Sequence, residues 1–147
     1  MRVTAIWLHL LAMAIWVGGL AYQSHVLLPA SRRAGDLRLF TEGARRGRPV
    51  VWTAVGLVVL TGLYNVTQLG PLERVMTSGA GTLLAGKFII VLAMVSIAAQ
   101  RDFGHVPRLA RDDVSALLRA IARLDRIVLA LGAVVIYLGV AVSRLAR

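Results

Sequence analysis

The chain has 147 residues, 58 % of them hydrophobic, with 17 lysines and arginines against seven acidic residues and no cysteine. A mean hydropathy of +0.74 belongs to a membrane protein, and the missing cysteines exclude disulfides, thiolate metal sites and a thiol nucleophile. The net charge of +10 does not point to nucleic acid, because the charges flank apolar runs and no recognition motif accompanies them.

Residues 5–28, AIWLHLLAMAIWVGGLAYQSHVLL, form the first apolar run. No Lys, Arg, Asp or Glu interrupts it, and at about 1.5 Å per residue it is long enough for a bilayer core of roughly 30 Å. Arg2 is a thin basic lead and the run is long for a signal peptide, so a retained span is expected. It carries His9, Gln23 and His25. An imidazole in lipid needs a partner, which makes it a site candidate by default. His9 and His25 sit roughly 24 Å apart along a straight helix, too far to share one ion.

Residues 29–49 connect to the second run, 50–69, and carry Arg32, Arg33, Arg38, Arg45, Arg46 and Arg48. A Gly- and Pro-containing connection over residues 70–81 leads to the third run, 82–99, which contains Lys87. Residues 100–126 then carry Arg101, Arg108, Arg111, Arg119, Arg123 and Arg126. Gly104 and Pro107 in that stretch predict a helix break, and Asp112 or Asp113 a cap for the next helix. From there Val114, Leu117, Leu118, Ile121 and Leu124 recur at helical spacing, which predicts one long helix, amphipathic and interfacial at first and spanning over 127–143.

Continuous apolar runs lack the alternation a membrane barrel needs, so the expected fold is an all-α bundle of four transmembrane helices in a single domain. Twelve of the 17 basic residues lie in the first and third connections. That places those connections in the cytoplasm and both termini outside, in a bacterial-type inner membrane. The lipid bilayer is the expected partner, with a second copy or a larger membrane complex as further candidates, and nucleic acid is not expected. Trp7, Trp52 and Tyr64 fall near span ends, where aromatic rings favour the interface. Ala14 and Gly18 form a small pair suited to close helix packing.

This topology gathers polar groups at one depth. His9 of the first span, Tyr64, Asn65 and Gln68 of the second and Lys87 of the third all fall towards the outer face. Met13, four residues after His9, shares its helical face. Imidazole plus thioether is a soft pair that suits copper(I), whereas imidazole is equally an axial ligand of haem b. A second cytoplasmic cluster of His25 and His105 is a further candidate. No Ser-His-Asp set, HExxH, P-loop or GxGxxG occurs. No acidic residue falls within a predicted span, which argues against a carboxylate proton relay.

Three of the four segments carry a resemblance. WLHLLAMAIWVGGLAYQSHVLLP, with its His followed by W-x-G-G-L, resembles the opening helix of the copper-resistance protein D family. VVWTAVGLVVLTGLYNV, with its L-T-G-L core, and LLAGKFIIVLAMVSIAAQRDF, with a Lys before an apolar run, resemble the next two helices. The resemblance implies a membrane protein that binds or transports copper. The same superfamily is similar to a short four-helix membrane protoporphyrinogen oxidase, a haem b protein with a His in its first helix and a Lys in its third. His9 and Lys87 match those positions, and Tyr64 is the third candidate for such a haem site. The resemblance leaves an accessory-subunit role open as well.

Overall fold

The computed structural model describes residues 2–68, 79–110 and 114–145, and every regular element among them is helical. Helix α1 (Arg2–Tyr22) widens into a π-helical stretch (Gln23–Leu27) and continues as α2 (Leu28–Ala34). Helix α3 covers Arg38–Thr67 and α4 Gly79–Ala99. After α4 come a second π-helical stretch (Gln100–His105) and a 3-10 turn (Val106–Ala110), and α5 covers Val114–Leu145. Four helices are long and apolar enough to cross a membrane.

The helices outrun the apolar runs. The first connection, expected over residues 29–49, is a turn of three residues: Gly35 caps α2 in the left-handed conformation with φ +67°, where a side chain would be strained. Asp36 Oδ1 then accepts from the Arg38 backbone N–H at 2.9 Å and opens α3. The arginines of this connection therefore ride on helix. Pro49 lies inside α3 without breaking it. The expected break at Gly104 and Pro107 is a change of winding instead. The Asp112 and Asp113 cap and most of the connection over residues 70–81 lie outside the described residues.

Each π-helical stretch ends two residues before a proline. Pro29 and Pro107 lack the N–H that an α-helix needs and crowd the carbonyl four residues back. A π turn just ahead of each proline absorbs the mismatch.

Helix α1 packs mainly on α3, α4 mainly on α5, and α1 also touches α5. Two apolar cores result. The larger holds Met13, Trp16 and Leu20 of α1, Ala54 and Val58 of α3, Met94 and Ala98 of α4, and Val128 and Val135 of α5. The smaller joins Leu28, Phe40, Ala44, Val106, Leu109, Leu118 and Ile121. The start of α5 thus buries its apolar face against protein. Elsewhere the apolar surface points outward: only 11–22 % of each spanning window is buried, the pattern of helices whose outer faces meet lipid.

Ile121 has no exposed surface and ties α5 to the smaller core. Ile121→Ala should lower the unfolding free energy by about 2–5 kcal/mol, read as an earlier unfolding midpoint in mixed micelles.

Candidate functional site

At one end of the bundle, near the start of α1, His9 is half-buried. Its Nδ1 lies 2.9 Å from Thr61 Oγ1 on α3. The Thr61 hydroxyl donates to the carbonyl of Leu57 in its own helix, so its oxygen is left to accept and His9 Nδ1 carries the proton. In that tautomer Nε2 is the nitrogen that keeps its lone pair. Gly62 lies against the ring: a Cβ there would sit 3.3 Å from His9 Cε1, a tight contact. The L-T-G-L core of α3 therefore has a physical meaning, one residue to hold the ring and the next to make room for it.

Lys87 of α4 is at the same end and interacts electrostatically with His9. Its Nζ lies over Gly139 of α5, 3.4 Å from where a Cβ would stand. Each of the two polar side chains is thus seated on a glycine of a neighbouring helix. Beside Thr61 an open groove is lined by Thr4, Ala5, Leu8, Leu60, Thr61 and Tyr64, and Tyr64 is 38 % exposed. Met13 is buried in the larger core together with Met94. His9, Tyr64 and Lys87 are therefore gathered at one end, with Met13 beneath in the packing. His25 and His105 each turn to their own chain: His25 Nδ1 meets Ala21 O at 3.2 Å, and His105 Nδ1 meets Gln100 O at 3.1 Å. Among the described residues no three His, Asp or Glu side chains gather in a way that could hold a metal ion.

The arginine-rich end holds a constellation that the sequence reasoning missed. Between the two apolar cores lies a polar layer of Gln23, Arg101, Asp102 and Asp125, all at most 9 % exposed. Arg101 Nη1 donates to Asp102 Oδ1 at 2.6 Å and Nη2 to Gln23 Oε1 at 2.9 Å. Arg101 Nε comes within 2.6 Å of Asp125 Oδ1, but off the N–H direction, so the contact is a charge pair without a hydrogen bond. Trp52 Nε1 donates to Asp102 Oδ2 at 3.2 Å, which joins this indole to the layer.

Arg48 completes the layer through backbone chemistry. In a π turn the carbonyl of residue 102 is served by the N–H of residue 107, which here is a proline. Arg48 Nη2 supplies the missing donor to Asp102 O at 2.7 Å, and its guanidinium lies 4.9 Å over the Phe103 ring. A cavity of about 10 Å³ touches Gln23, Arg48, Arg101 and Asp102, close to the least volume that holds one water. The overlooked signal was periodicity. Leu118, Ile121, Val128 and Val135 are buried along one stripe of α5, and Asp125 occupies a position of that stripe, where a charge demands a buried partner.

Comparison with known proteins covers part of the chain. The sequence pattern of the family described as "Copper resistance protein D" matches residues 42–142. The curated "Copper transport protein CutJ" of Bacillus subtilis (strain 168) is 33 % identical over 94 residues, covering 61 % of this chain. The chain spans about 17 % of that relative's length. No solved structure matches.

Arg48→Leu removes the donor to a buried carbonyl and should cost about 1–3 kcal/mol of stability. In a Pro107→Ala background the new N–H can serve that carbonyl, so the same substitution should cost distinctly less. Unfolding midpoints of the four proteins in micelles check this; equal penalties in both backgrounds contradict the role given to Arg48.

Proposed function

The chain belongs to the copper resistance protein D family, a multi-pass membrane protein, and from that premise we propose that it binds copper at the His9 end and passes it into the bundle. The anchored tautomer of His9 carries the proposal: Thr61 holds Nδ1, and Nε2 is left to bind a cation. Met13 shares the helical face and offers a thioether beneath, a donor that suits copper(I). Lys87 at the same depth opposes a resident cation. Binding is then weak enough for release, as conduction requires. The charge asymmetry supports a topology in which the His9 end faces outside and the arginine-rich connections the cytoplasm of an inner membrane. The family and the curated relative's name support copper as the substrate.

A second reading draws on Lys87. An ammonium beside a histidine also suits an anionic ligand, and a haem b here would be held by His9 at its iron and by Lys87 at a propionate. Haem would add redox chemistry at this end, with Tyr64 beside the groove. A third role, as an accessory subunit of a larger membrane complex, needs neither ligand.

Purified wild-type protein should bind copper(I) in competition with a chromophoric chelator. His9→Ala should abolish binding, and Thr61→Val should weaken it by roughly 10–100-fold, the cost of losing a ligand's outer partner. Wild-type protein that binds no copper, or His9→Ala with unchanged affinity, overturns the proposal. A Soret band lost in His9→Ala would favour haem, and co-purifying subunits without metal would favour the accessory role.

A further inference from the structure

The polar layer at the arginine-rich end has an imbalance that packing alone does not explain. One guanidinium, Arg101, faces two carboxylates. Asp102 is well supplied, with donors from Arg101 Nη1 and Trp52 Nε1. Asp125, with no exposed surface at all, receives only the off-axis approach of Arg101 Nε, and neither of its oxygens has a hydrogen-bond partner among the described residues. Arg48 does not redress the balance, because it is spent on the Asp102 carbonyl and the Phe103 ring. A carboxylate taken out of water with half a share of one cation is costly to keep ionised.

We propose that Asp125 is a proton-exchanging site, taking up a proton from the aqueous face at the arginine-rich end and returning it there. The groups that bear on it are Arg101 and Asp102 from the stretch that follows α4, and His25 from the π-helical stretch after α1. His25 is exposed and is the neighbour open to solvent. Arg126, next to Asp125 on α5, is exposed and donates from Nε to the Ala122 carbonyl. The step is a plain transfer: hydronium gives its proton to a carboxylate oxygen, an O–H bond forms, water leaves, and nothing is oxidised or reduced. Protonated, Asp125 releases its hold on Arg101, which then belongs to Asp102 and Gln23 alone. Ionised, it draws Arg101 towards α5. The proton thus adjusts how firmly α5 is held to the other three helices. Asp125 lies on helix just ahead of the apolar run that begins at Ile127, outside the spans predicted from the sequence. The site is independent of what binds at the His9 end.

The test is infrared difference spectroscopy of the full chain in lipid bilayers, recorded between acidic and alkaline buffer. The expected wild-type spectrum contains the C=O stretch of a buried protonated carboxyl, which shifts on labelling with carboxyl-¹³C aspartate. The band should vanish in Asp125→Asn. In Asp102→Asn its midpoint should move to lower pH, since the repelling neighbour is gone. A folded wild-type chain with no aspartic acid band at any pH overturns the proposal, as does a band that persists in folded Asp125→Asn. If Asp125→Asn does not fold, the midpoint in Asp102→Asn decides, and an unmoved midpoint overturns it.

Discussion

The contact on which the bundle is built is the buried approach of Arg101 to Asp125 and Asp102. Apolar side chains alone set little register between helices in lipid, because the tails compete equally well for apolar surface. Charges and amides do set it, since each has only a few positions in which its partners come within reach. Along every helix the order is the same. In the first, Leu20 of the larger core is followed by Gln23 and then Leu28 of the smaller; in α3, Ala44 of the smaller core is followed by Arg48 and then Ala54 of the larger. The α4 stretch runs Ala98, Arg101–Asp102, Val106, and α5 runs Ile121, Asp125, Val128. One sliding step of any helix would bring a charge against an apolar layer. Such a layer adds little net stability, because desolvation offsets most of the attraction. Its effect is to fix one alignment.

The two ends of the molecule differ for that reason. The arginine-rich end is closed by the polar layer and the smaller core above it. The opposite end has single polar side chains, each seated on a glycine: His9 on Gly62 and Lys87 on Gly139. There the open groove beside Thr61 reaches the surface. The proposed copper site lies at the open end and the proposed proton-exchanging carboxylate at the closed one.

Much of this was legible in the sequence. Four long apolar runs gave the four helices, and the basic residues of the first and third connections fall at one end of the bundle. The depth shared by His9, Lys87 and Tyr64 followed from counting residues along antiparallel spans. What was not legible followed from one assumption, that a helix ends where its apolar run ends. Arg101, Asp102 and Asp125 were therefore read as connection residues, although two prolines only change the winding of helices that continue. Asp125 could have been found from its place in the stripe of Leu118, Ile121 and Val128. The off-axis geometry of Arg101 could not, because it depends on how two π turns present Gln23 and Arg101 to each other. The backbone role of Arg48 was equally hidden, since it needs a proline five residues after an aspartate on a different helix.

The most direct measurement is a double-mutant cycle on Arg101→Met and Asp125→Leu, read as unfolding free energy in micelles. Arg101→Met leaves Asp102 and Asp125 buried without their cation and should be strongly destabilising, whereas Asp125→Leu leaves Arg101 held by Asp102 and Gln23. Adding Asp125→Leu to Arg101→Met removes one of the two stranded carboxylates and should recover part of the loss, with a coupling on the order of 1–3 kcal/mol. Additive penalties would contradict the account, because the two side chains would then not depend on each other.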